Sequence, residues 1–153
     1  MIKIGKFGIP VLTHTGFWPW KSKTCDPIHW DEVLVDFPNL VVIAAHLGVG
    51  WQNVLNQMGA TKPNLATDFS GWQIHAQRRY REFCEALRQA LDYFGPQRVL
   101  FGTDGPFYRM ALSNKDYIQI IKDLPDKAPE GLNFTEDEVE TMLGKGAAAL
   151  LRL

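Results

Sequence analysis

One pattern recurs along this chain and limits what it can fold into. An apolar run closes on a histidine or aspartate, and glycine follows within a few residues. The pattern occurs over residues 9–16, ending at His14, and over 40–48, ending at His46. It returns over 99–105 around Asp104, and in a looser copy over 65–71 around Asp68. Apolar runs without polar alternation read as strands covered on both faces, the condition of a parallel sheet. Helical segments separate them, so the chain reads as an α/β fold of four βα units with parallel strands and right-handed crossovers. Separations of 32, 22 and 36 residues between His14, His46, Asp68 and Asp104 each suit one unit. Parallel α/β folds place their sites at the C-terminal strand ends, in barrels and open sheets alike. All four side chains fall there.

The strands are expected over 40–46 and 98–103, with others ending near His14 and Asp68. Asp26-Pro27 reads as an N-cap with first-turn proline, opening a helix that points Ile28, Leu34 and Phe37 inward. Trp51, Val54, Leu55 and Met58 form a core stripe at helical spacing. The longest helix is expected over 75–94, with Ala76, Tyr80, Phe83, Cys84, Leu87, Leu91 and Phe94 on its inner face. Arg78, Arg79, Arg81, Glu85 and Arg88 read as its solvated side, and Gly95-Pro96 ends it. Ser113 caps a further helix. Thr135 and Glu138 make a capping box, with Phe134 and Val139 placed as a hydrophobic staple. Gly144 and Gly146 divide the last helix. Residues 1–7 look like a helix end entered just before the first strand.

The 153 residues suit a single domain spanning the whole chain. A net charge of -1 argues against nucleic acid or an anionic membrane surface as partner. No segment approaches the roughly 20 apolar residues of a membrane span, and no signal peptide is visible. Cys25 and Cys84 form neither a disulfide framework nor a CxxC site, which suits a reducing, cytoplasmic setting.

The strand-end residues define the chemistry. His14 and Asp104 suit a divalent metal, zinc first and manganese second. His46 is placed to act as general acid/base beside it. A lone strand-end histidine is more often structural, but three such groups at matching positions favour a site. Asp68 reads more readily as a loop cap than as a contact for ligands or substrate. His29 and His75 read as solvated helix starts, and Cys84 as core. Phe17, Trp18, Trp20, Trp51, Trp72, Phe107 and Tyr108 all fall near strand ends. They suit the wall of a pocket for a small molecule, with Trp18 and Trp72 as substrate contacts, and suit loop packing equally.

Four stretches together resemble a known family: PVLTHTG at 10–16, FPNLVVIAAHLG at 37–48, VLFGTDGPF at 99–107, and TEDEVETMLGKGAAALLRL at 135–153. This ordered set is similar to the amidohydrolase-related group of metal-dependent hydrolases, which includes aminocarboxymuconate-semialdehyde and resorcylate-type decarboxylases. The resemblance implies a (β/α)8 TIM barrel. It makes His14 the metal ligand of strand five, His46 the catalytic histidine of strand six, and Asp104 the metal-binding, proton-handling aspartate of strand eight. Gly146-Ala147 stands where the family usually has an asparagine-alanine pair. The family's first strand carries an H-x-H pair of ligands, and this chain contains no H-x-H. With four units, the sequence resembles the C-terminal half of such a barrel.

The expected activity is metal-dependent hydrolysis or non-oxidative decarboxylation of a small carboxylated, aromatic molecule. Two ligands bind a catalytic metal poorly where three are usual, so a catalytically silent half-barrel is the alternative. Either form leaves barrel edges that a homo-oligomer would cover. An open sheet binding phosphate or nucleotide is a weaker reading, because neither GxGxxG nor GxxxxGK[ST] is present.

Overall fold

The computed structural model describes residues 8–17 and 21–153. Four strands, β1 (Val11–Thr13), β2 (Val42–Ala44), β3 (Leu65–Asp68) and β4 (Val99–Leu100), form one parallel sheet in sequence order. Register aligns Thr13, Ala44, Thr67 and Val99 across the sheet, with Val11, Val42 and Leu65 one pleat earlier. On this face Val42, Ala44, Leu65 and Val99 are buried beneath helices α1 (Asp31–Asp36), α2 (Gln52–Thr61) and α4 (Tyr80–Phe94). The opposite face, which would line a barrel, is barer at its edge. Leu12 there is 65% exposed.

Two side chains fix the helices to the sheet's lower rim. Arg98 Nη1 donates to the carbonyls of Gly59, Lys62 and Leu65 at 3.0 Å each, tying the end of α2 to β3. Asn64 Nδ2 does the same for the carbonyls of Leu34, Phe37 and Leu40. Buried carbonyls that no ladder satisfies need such donors.

The expected helix over 75–94 is two helices. α3 (Gln73–Arg78) ends at Arg79, whose backbone leaves the helical region at φ -138° and ψ 52°, and α4 restarts at Tyr80. Ala76 and Tyr80 keep helical spacing across the break, so periodicity does not register it. Ile28 is exposed, because Pro27–Trp30 is a 3-10 turn before α1. Arg88 is half-buried, not solvated. It pairs with Asp92 at 2.8 Å and Glu138 at 3.0 Å, joining α4 to α7 (Glu136–Glu140). β4 is shorter than the expected 98–103 because the Phe101 N–H turns aside to the Met142 carbonyl.

Ser113 accepts from the Asp116 N–H at the start of α5 (Asn114–Lys122). A short α6 (Leu124–Lys127) follows. The Thr135–Glu138 capping box forms at α7, with Phe134 and Val139 buried in the common core. A kink at Gly144 separates α7 from α8 (Gly146–Leu151), as the glycines imply. The helix-like reading of residues 1–7 lies outside the described residues.

Candidate active site

His14 follows β1 by one residue, where the chain leaves the sheet. Burial and the neighbouring His46 hold its imidazole below the usual histidine range, against the opposing pull of Asp104. Its neutral form, the one that binds metals, is thereby favoured near pH 7. The His14 and His46 rings lie 4.8 Å apart, centre to centre.

His46 sits two residues past β2 in a left-handed turn, with φ of 69° at His46, 50° at Leu47 and 59° at Gly48. A non-glycine residue in that region costs about 1–2 kcal/mol. This is why the expected strand over 40–46 ends at Ala44. Surrounding bonds hold the turn. The His46 N–H donates to Asp68 Oδ1 at 3.1 Å, and Trp72 Nε1 donates to the His46 carbonyl at 2.8 Å. Thr15 Oγ1 donates to the carbonyl of Ala45.

Asp104 lies on the loop after β4, also with positive φ, at 47°. The loop is reached from α3: buried Gln73 donates through Nε2 to the Thr103 carbonyl. Asp68 is buried and faces inward, and Ser70 bonds to it through both N–H and hydroxyl. The chain can pass here only because residue 102 is glycine. A Cβ at Gly102 would stand 2.9 Å from Ser70 Cβ.

His14, His46 and Asp104 line one cleft of about 100 Å3, with Phe17, His75 and Tyr108 on its walls. The Tyr108 phenol is pushed up by burial and by Asp104. A larger groove of about 580 Å3 adjoins the cleft through His75 and Val49. It runs between α2 and α4, past Trp51, Glu82 and Gln89. The smaller cleft holds the convergent chemistry.

His75, expected on the surface, is half-buried in the cleft wall. Burial and Arg79 hold its imidazole down, against Glu82. Trp72 is buried, and its indole N–H is used on the His46 carbonyl. Phe17 stacks on Trp51 at 4.1 Å. Trp18 lies outside the described residues. Ser70 and Gln73 carry no signature in the sequence beyond the place of Ser70 two residues after the strand-end Asp68.

Among the described residues, no three His, Cys, Asp or Glu side chains converge as a metal shell. The donor chemistry of His14 and Asp104 fits two positions of a shell and does not complete one.

The amidohydrolase family model matches residues 2–153. The chain belongs to the amidohydrolase family. No curated protein matches the chain in sequence. Among solved structures, it is similar to an uncharacterised TIM-barrel protein from Bordetella bronchiseptica, at 25% identity and a TM-score of 0.70. That match covers 99% of this chain and 48% of the other. It is also similar to 5-carboxyvanillate decarboxylase from Sphingomonas paucimobilis, at 21% identity, a TM-score of 0.63, and coverage of 98% and 51%. A third match is an amidohydrolase from Burkholderia multivorans with bound zinc, at 21% identity, a TM-score of 0.63, and coverage of 81% and 48%. These likenesses establish a TIM-barrel-type fold, and the chain spans about half the length of the proteins it matches.

Proposed function

We propose that the chain carries one wall of a metal-dependent site that breaks a C–O, C–N or C–C bond of a small carboxylated molecule. Aromatic and pyrone carboxylic acids come first, since structural matches include decarboxylases of 5-carboxyvanillate and 2,6-dihydroxybenzoate and a protein named for 2-pyrone-4,6-dicarboxylic acid hydrolysis. The observation that carries the proposal is the meeting of His14, His46 and Asp104, from three different strand ends, at one cleft. Composition alone would not bring two imidazoles and a carboxylate together there.

His14 and Asp104 would hold a divalent ion, zinc before manganese, as two of its ligands. Such an ion supplies Lewis acidity and a bound water of lowered pKa. The chain's own proton carrier is His46. In a hydrolysis its imidazole takes a proton from the attacking water and returns one to the leaving group. In a decarboxylation it delivers a proton to the carbon that loses CO2. Phe17 and Tyr108 offer a flat ring to an aromatic acid.

Metal content after purification without chelator tests this, together with turnover of a panel of hydroxybenzoates and pyrone carboxylates. Bound zinc or manganese that disappears in His14→Ala supports the reading. A metal-free protein without turnover sinks it and leaves the silent half-barrel.

A second reading concerns completion of the site. β1 and β4 are the sheet's outer strands, and Ile9 and Leu12 are 62% and 65% exposed at the β1 edge. Two copies of a chain half as long as the matched barrels supply eight strands. Pairing β1 of one copy with β4 of the other about a two-fold axis would bring both His14/His46/Asp104 groups to one mouth. Sedimentation velocity decides: a stable, folded monomer rules out dimeric closure.

A further inference from the structure

Two atoms approach His46 Nδ1, and neither has a hydrogen to give it. The Ser70 main-chain carbonyl lies 2.9 Å away, and the Ser70 hydroxyl oxygen lies 2.8 Å away. A carbonyl only accepts. The hydroxyl owns one proton, and that proton is directed at Asp68 Oδ1, 2.5 Å away. An ionised carboxylate is itself an acceptor only. With its proton committed, Ser70 Oγ presents lone pairs to the ring. The proton of the neutral imidazole therefore belongs on Nδ1, and the lone pair on Nε2.

We propose that Asp68 and Ser70 are positioning residues that lock His46 in its Nδ1–H tautomer, leaving Nε2 as the atom that accepts a proton in the cleft. This rests on the reading of His46 as the proton-transfer group. With the opposite tautomer, Nε2 would carry a hydrogen and could not take one.

The lock is built rigidly. Asp68 and Ser70 are 7% and 5% exposed. Asp68 Oδ1 also accepts from the Ser70 and His46 N–H groups, so one oxygen fixes hydroxyl, turn and ring together. The backbone makes room for it. A Cβ on Gly71 would stand 3.1 Å from His46 Nδ1, and one on Gly102 would meet Ser70 Cβ. When Nε2 takes a proton, the Asp68 charge stands one hydroxyl away from the new imidazolium. An orienting partner of this kind governs both tautomer and ring direction.

The test is nitrogen-15 NMR of the histidine side chains of the full chain, without substrate, at alkaline pH where free imidazole is neutral. The His46 signals are assigned by their loss in His46→Gln. The wild type is expected to show the Nδ1–H pattern. Asp68→Ala removes the acceptor of the hydroxyl proton and frees it for Nδ1, so His46 should shift towards Nε2–H. Ser70→Ala should give a mixture, because the carbonyl remains, and Ser70→Thr should restore the wild-type pattern. Should one alanine variant fail to fold, the other and the wild-type pattern still decide. An Nε2–H pattern in the wild type overturns the lock, as does an unchanged pattern in both Asp68→Ala and Ser70→Ala. A locked tautomer in a protein without turnover counts against the functional reading alone. An unlocked one in an active protein counts against the lock alone.

Discussion

The Trp72 indole N–H donates to the main-chain carbonyl of His46 at 2.8 Å, joining the start of α3 to the left-handed turn after β2. That turn holds two non-glycine residues at positive φ, so it needs support from outside itself. Trp72→Phe keeps most of the buried ring and removes the donor. The carbonyl retains a 3.2 Å bond from the Val49 N–H. A loss of about 1–2 kcal/mol is expected on hydrogen-bond grounds. It should appear as a lower urea midpoint with an unchanged slope. No change in midpoint would mean that the turn holds itself.

Gly102→Ala should damage the site more than the fold. The added methyl lies 2.9 Å from Ser70 Cβ and 3.5 Å from Asp68 Cγ. Neither neighbour is free to move, because both are buried and bonded to the His46 turn. Overpacking of this kind costs about 1–3 kcal/mol. The expected result is a folded protein with reduced stability and displaced His46 resonances. Wild-type stability and an unchanged His46 spectrum would show that the β4 loop yields.

The Arg88–Glu138 pair gives an acid-side prediction. Burial pushes the Glu138 carboxyl up, but bonds from Arg88 and Thr135 outweigh it and hold it below its usual value. A carboxyl depressed in the folded state adds stability above its unfolded value of about 4.3, and that stability is lost as pH falls through the folded value. Melting temperature from pH 7 to pH 3 should therefore fall less steeply in Glu138→Gln than in wild type. Parallel curves would mean that the pair contributes nothing.

Much of this was legible in the sequence, for reasons that also mark where legibility ended. His14, His46 and Asp104 stood out because apolar runs led into them, and parallel strands bring such ends together. The Thr135 capping box and the Ser113 cap were legible because local bonds make them. The break at Arg79 was not, since apolar spacing runs through it. Nor was the use of Ser70 and Arg88, which have partners many residues away in sequence, or the burial of His75 in the cleft wall. Ser70 reaches His46 across 24 positions, and Arg88 reaches Glu138 across 50. Only the register of β2 against β3 and the docking of α7 on α4 create those contacts.

Cys84 gives the corresponding prediction at alkaline pH. Burial pushes its thiol up to about 11, against a lowering hydrogen bond from Tyr80. Burial and Cys84 push the Tyr80 phenol up as well. For an acid whose folded pKa is raised, stability is complete below the unfolded value and falls as pH climbs towards the folded one. With an unfolded thiol near 8.5, Cys84 should withdraw up to about 3 kcal/mol between roughly pH 8.5 and 11. Cys84→Ala should remove that part of the decline, leaving the smaller share due to Tyr80. Thiol labelling at pH 8 gives an independent reading, because Cys25 is half-buried while Cys84 is wholly enclosed. Cys25 should react first, and Cys84 only as fast as the chain opens. Equal labelling rates for the two thiols would place Cys84 outside the core and remove the basis of the alkaline prediction.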